Sequence, residues 1–233
     1  MSNEIIYIFG DSYAEVTQFN HYYWEYSWPR KLATQFNVKN YAAGGTGPQD
    51  VCAKLHDIVT FSNKSKLADS SAIIVLPDIS RYNFSFYQSS ADHVLGQITS
   101  STDKFFTDEY LKKYNIDTIE FILNFRKYYL EHSINWLIEE ARYLSYFDNI
   151  AQYFKKTLVL PVNPLMSNYQ YSNIDIAPID LESIAKHEKN TNIIRGLDSR
   201  LNHLSLDNHN IMLEQLCNWI INKTPIENKF IIE

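Results

Sequence analysis

Cysteine is scarce in this chain. Only Cys52 and Cys217 occur, far apart and each in an apolar, helix-like context. That excludes a disulfide framework and any zinc-ligand spacing, and it leaves two buried free thiols as the expectation. A basic stripe is missing as well. The 21 Lys and Arg residues are scattered among 27 Asp and Glu, the net charge is −6, and the footprint of a nucleic-acid-binding protein is not there. Long apolar runs are absent too. Met-Ser-Asn-Glu precedes a short apolar run without the basic region or the apolar length of a signal peptide, and no stretch reaches the length of a membrane span. These absences read as a cytoplasmic protein by default, and release by a phage or other export-independent route is compatible with the same sequence. No internal repeat, heptad array or low-complexity tract occurs.

What is present suits one α/β domain over residues 1–233, because 45% of the 233 residues are hydrophobic and that supports a sizeable core. The run Ile5-Ile6-Tyr7-Ile8-Phe9 stops at Gly10-Asp11-Ser12, the pattern of a buried strand with a tight turn at its carboxyl end. Ser27 before Trp28-Pro29 opens a helix whose apolar face is Leu32, Ala33 and Phe36. A second strand is expected near Val38 to Tyr41, running into the turn Ala42-Ala43-Gly44-Gly45-Thr46-Gly47-Pro48. Val51, Leu55 and Ile58 then place a helix over Gln49 to Val59.

Ala72-Ile73-Ile74-Val75-Leu76 reads as a central strand covered on both faces. Residues 80 to about 116, rich in Ser, Asp, Tyr and Phe, read as an inserted loop or lid with short helices, and the insertion extends over about 80–133. Helical patterns follow over Thr118 to Tyr129 and Ile134 to Phe154, the latter carrying Leu137, Ala141, Tyr143 and Leu144. Thr157 to Val162 is a further strand stopped by Asn163-Pro164. A short helix is expected over Leu181 to His187, and a closing helix after Leu206-Asp207 carries Ile211, Met212, Leu216, Trp219 and Ile220. Strands alternating with helices favour a mostly parallel sheet between two helical layers, a three-layer α/β/α sandwich.

Three loops follow three of these strands, and right-handed crossovers bring them to one edge of the sheet. They carry Ser12, Gly44-Gly45 and Ser80-Arg81-Tyr82-Asn83. In open α/β sheets that edge is where ligands and chemistry collect. A serine hydroxyl needs a base to become a useful nucleophile, and of the seven histidines His203 is the foremost candidate, in a loop before the closing helix. His209 is its rival, with helix-start packing as its plainer explanation.

The chain resembles the SGNH hydrolases, the GDSL-type esterases and lipases. Ile8-Phe9-Gly10-Asp11-Ser12 is similar to their first motif, Asn40-Tyr41-Ala42-Ala43-Gly44-Gly45 to the second, and His203-Leu204-Ser205 with Asn208-His209 to the last. The resemblance implies a flavodoxin-like α/β/α fold, Ser12 as nucleophile, His203 as general base, and backbone N–H groups of Ser12 and Gly45 as oxyanion donors. It makes Asp11 a structural neighbour of the nucleophile. No metal or cofactor is implied.

Two departures stand out. The family's Gly-x-Asn-Asp is replaced by Pro77-Asp78-Ile79-Ser80-Arg81-Tyr82-Asn83, so Ser80 or Asn83 would have to supply the side-chain oxyanion donor. The family's Asp-x-x-His is also lost, because Arg200 stands three residues before His203 and the nearest upstream carboxylate is Asp198. The expected activity is hydrolysis of a carboxylic ester, short acyl rather than long-chain lipid, with acetyl on a carbohydrate as one form; acyl transfer uses the same residues. The alternative is a weakened hydrolase-fold binding module recognising glycan or protein. A phosphate-binding use of Gly44-Gly45-Thr46-Gly47 fits poorly, since Pro48 follows where Gly-Lys-Ser/Thr is needed.

Overall fold

The structure is a computed structural model describing residues 4–15, 25–88, 92–98, 124, 135–186 and 204–230, with backbone alone for 82–88 and 92–98. Five parallel strands form its central sheet: β1 (Ile5–Phe9), β2 (Asn37–Asn40), β3 (Ser71–Leu76), β6 (Lys156–Pro161) and β7 (Ile174–Ile176), in the order β2-β1-β3-β6-β7. A separate antiparallel hairpin, β4 (Tyr82–Gln88) with β5 (Asp92–Ile98), follows β3. With the hairpin set aside, the order is the 2-1-3-4-5 of flavodoxin-like sheets, whose switch point lies between the first and third strands.

The period-two alternation of strands sorts their side chains into two cores. Ile6 and Ile8 of β1, Ile73 and Val75 of β3, and Leu158 and Leu160 of β6 face α1 (Trp28–Gln35), α5 (Leu181–Lys186) and α6 (Leu206–Asn222), represented by Trp28, Leu32, Leu181, Met212, Leu216 and Trp219. Tyr7, Phe9, Ala72, Ile74, Leu76 and Val159 face α2 (Pro48–Phe61), α3 (Lys64–Ala68) and α4 (Trp136–Ala151), represented by Val51, Leu55, Leu67, Leu144 and Phe147. Every residue of β3 and β6 is buried. The fold is therefore the expected three-layer α/β/α sandwich, with its five-stranded sheet wholly parallel.

Several elements differ from the sequence expectation. Residues 82–88 and 92–98 are paired antiparallel strands instead of a loop with short helices. Tyr82, Phe84 and Phe86 alternate with Asn83 and Ser85, a period of two that suits a ladder pairing Phe84 with Gly96 and Phe86 with Val94. The three-residue β7 and the five-residue α3 were not foreseen. In α4 the buried face is Glu140, Leu144, Phe147 and Ala151, while Leu137 is exposed. A carboxylate takes the place expected for an apolar residue because its Oε2 and Oε1 accept the backbone N–H groups of Met166 and Ser167, at 2.8 and 2.9 Å. Both cysteines are free but only half-buried. Of the pattern over 118–129 only residue 124, which is helical, is described. Among the described residues, no helix is long and apolar enough to cross a membrane.

Candidate active site

The carboxyl ends of β1, β2 and β3 open onto one edge of the sheet, and the turn after β1 is fixed there from three directions. Gly10 has φ +146°, and a Cβ at this position would stand 2.6 Å from Val75 Cβ and 2.9 Å from Val75 O. Only glycine lets β1 leave the sheet so close to β3. The turn then runs Asp11 to Ala14, closed by the Ala14 N–H on the Asp11 carbonyl at 3.0 Å. Trp28 Nε1 donates to the Tyr13 carbonyl at 3.1 Å, and Asn40 Nδ2 donates to the Ala14 carbonyl at 2.7 Å. Ser12 lies in this turn, half-buried, and no described residue hydrogen-bonds with it.

A buried ion pair crosses the switch point. Asp11 is fully buried; its Oδ1 accepts the Tyr13 N–H at 3.1 Å, and its Oδ2 accepts from Arg81 Nη1 at 3.1 Å. Burial raises the Asp11 carboxyl above the ordinary carboxylate range, opposed by the Arg81 guanidinium and the Tyr13 N–H. Arg81 also donates to the Thr46 carbonyl at 3.4 Å, so one side chain ties the loops after β1, β2 and β3 together. Gly45 has φ +77°, and Thr46 Oγ1 donates to the Gly10 carbonyl at 2.9 Å. The Arg81 Nε and both amide atoms of Gln49, in the first turn of α2, are buried with no hydrogen-bond partner among the described residues.

The other residues singled out in the sequence fare differently. Ser80 is buried at the end of the β3 loop, where its hydroxyl and N–H both donate to Asp78 Oδ1, at 2.7 and 2.8 Å. Asn83 is the second residue of β4. Asp198 and His203 lie outside the described residues. His209 is buried in the first turn of α6, and its Nδ1 accepts the Trp28 N–H at 3.4 Å, one of the donors a helix leaves unpaired at its start.

Arg81 and Gln49 are the functional candidates that sequence reasoning missed. Arg81 was in view only as part of a loop. Its partner Asp11 is 70 residues away in sequence, and only the strand order brings them together. Gln49 carries no sequence signal beyond its place after the glycine-rich turn.

Chemically, the edge offers an unengaged hydroxyl on a rigid turn, backbone amides in two adjoining loops and a buried, internally neutralised ion pair. Among the described residues no cluster of three or more His, Cys, Asp or Glu side chains is placed to hold a metal ion. No protein-family model matches this chain, and no curated protein matches it.

Proposed function

We propose that this protein is a serine esterase that hydrolyses a short-acyl carboxylic ester through an acyl-enzyme on Ser12. The observation that carries the reading is the turn Asp11–Ala14, which holds an unengaged serine at the switch point of a parallel sheet. A second feature supports it. Leu204, next to position 203, is buried on the face of the sheet whose core also holds Tyr13 and Ala14.

In this mechanism the Ser12 hydroxyl attacks the ester carbonyl while His203 takes its proton, and Asp198 orients the imidazole. The backbone N–H groups of Ser12 and Gly45 receive the developing oxyanion. His203 then protonates the departing alcohol, and water repeats the sequence to free the acid. Because the Ser80 hydroxyl is donated to Asp78, the side-chain donor falls to Asn83, and without it the reading relies on two backbone donors. One missing oxyanion donor costs roughly 2.7 to 4 kcal/mol of transition-state stabilisation, which predicts a slow enzyme. The same commitment of Ser80 favours the second reading, a weakened hydrolase-fold module that binds glycan or protein.

A serine-directed phosphonate separates the two. The esterase forms a stoichiometric adduct at Ser12, and hydrolysis of p-nitrophenyl short-acyl esters falls by about three orders of magnitude in Ser12→Ala and in His203→Ala. Folded protein that neither labels nor hydrolyses any ester of the series, yet retains glycan or protein binding, is the module.

A further inference from the structure

On the other side of β3 from the Ser12 turn, the carboxyl ends of β3 and β6 border an open cavity of about 380 Å³, within the range of small-ligand sites. Ser80 belongs to its wall, and the next residue, Arg81, bonds to Asp11 beside Ser12. The cavity and the candidate nucleophile are thus neighbours along one edge.

Its lining has a definite chemistry. Trp136, at the first residue of α4, and Met166, in the loop after β6, contribute aromatic and apolar surface. Asn163 contributes an amide whose Nδ2 is held by Glu182 Oε2 at 2.8 Å and whose Oδ1 is buried with no hydrogen-bond partner among the described residues. Asp78 presents a carboxylate whose Oδ1 serves Ser80; no described residue hydrogen-bonds with its Oδ2. Glu140 also belongs to the lining, but it is 1% exposed and both its oxygens accept N–H groups of the loop after β6. Those bonds also fix Met166 and Ser167, so the wall is preformed.

Acceptors without donors ask for a ligand that carries O–H or N–H groups. Among the described residues no Lys, Arg or His lines the cavity, so an anion meets two carboxylates there without a counter-charge. A long alkyl chain would fit Trp136 and Met166 but bring no donor to Asn163 Oδ1 or to the half-buried Asp78 carboxylate. A sugar ring meets both demands, with hydroxyls for the acceptors and a C–H face for the indole.

We propose that this cavity holds the alcohol portion of the substrate, and that this portion is a neutral hexopyranose. The assignment rests on the esterase reading for its consequence in catalysis, but the cavity's affinity for the sugar is independent of it. Saturation-transfer NMR of the intact chain with the methyl glycosides of glucose, galactose, mannose and N-acetylglucosamine tests the binding. At least one is bound by the wild type and equally by Ser12→Ala, and the signal is lost in Trp136→Ala and in Asn163→Leu, both checked for an unchanged far-UV spectrum.

In kinetics, Trp136→Ala lowers kcat/KM for the corresponding acetylated methyl glycoside about tenfold more than for ethyl acetate, whose leaving group is too small to use the cavity. Binding without any ester hydrolysis by the wild type would sustain the cavity and sink the esterase. Hydrolysis of ethyl acetate with no glycoside bound, or binding of choline instead, would sink the cavity assignment and leave the esterase standing.

Discussion

The two ends of the central sheet treat buried polar groups in opposite ways. At the amino end of β6, Lys156 is buried over the Trp219 ring, 4.9 Å from its centroid, and its ammonium donates to the last-turn carbonyls of α6, at 2.9 Å to Trp219 and also to Ile220. Nearby, Glu4 pairs with Lys155 at 2.9 Å and accepts from the Ser71 hydroxyl. Among the described residues, the buried atoms left without a partner towards this end are Thr157 Oγ1 and, in the second half of α6, Gln215 Nε2. At the carboxyl end Ser12, the Gln49 amide, Arg81 Nε and Asn163 Oδ1 all lack partners among the described residues. A helix terminus and an aromatic ring satisfy a buried cation where only folding is at stake. The donors and acceptors without described partners at the other edge are the ground for the proposed site there.

The comparison can be broken at Gly10, where the largest stability effect is expected. Gly10→Ala combines a left-side φ with a clash against Val75, and about 4 kcal/mol of stability should be lost, read as a lower urea midpoint. Arg81→Met comes next, at about 3 kcal/mol at neutral pH, because it strands a buried carboxylate. The pH dependence of that loss sharpens the point. With Arg81 gone, Asp11 titrates further above its unfolded value, so the native state holds a proton that the unfolded chain has released, and stability falls as pH rises through that window. The deficit against wild type should therefore shrink as pH is lowered towards 5; a deficit independent of pH would mean that Arg81 acts by packing alone. Lys156→Met should cost only about 1 kcal/mol, since the carbonyls it caps are those a helix end normally leaves open.

The smallest effect is chemical. Burial pushes the Cys52 thiol from 9.0 up to about 12, so native protein keeps this proton while unfolded chain loses it, and stability falls between those values as pH rises. Cys52→Ala should flatten that alkaline slope in thermal melts. In the wild type at pH 8, a thiol reagent should modify Cys52 more slowly than the less deeply set Cys217.

Local signals account for the parts that were legible in the sequence. β1 and α1 were bracketed by Gly10 and by Ser27 with Pro29, and β3 by its unbroken apolar run. The Ser12 turn followed from the first of these. What escaped depends on contacts between distant residues. Ile174-Asp175-Ile176 is too short and too polar in its surroundings to announce a strand, yet it pairs with Thr157 to Val159 at the sheet edge. No pattern within α4 foretells that Glu140 is buried to accept the N–H groups of Met166 and Ser167. The Asp11–Arg81 pair is likewise invisible until the strand order is known. At the candidate site, Ser12 and Gly45 could be named from their motifs, but Gln49 could not. That Ser80 would turn its hydroxyl on Asp78 was equally illegible.

The strand order also shapes how the chain comes into being. β3 sits at the centre, paired on one side with β1 and on the other with β6, Ser71 opposite Lys156. The β2-β1-β3 trio is therefore complete on the ribosome long before β6 emerges. At about 5–20 residues per second, the open edge of β3 waits on the order of ten seconds for its partner. The strand that is wholly enclosed in the finished molecule is for that interval an apolar ladder with nothing beside it, so nascent chains, more than mature protein, should be the species that calls for a chaperone.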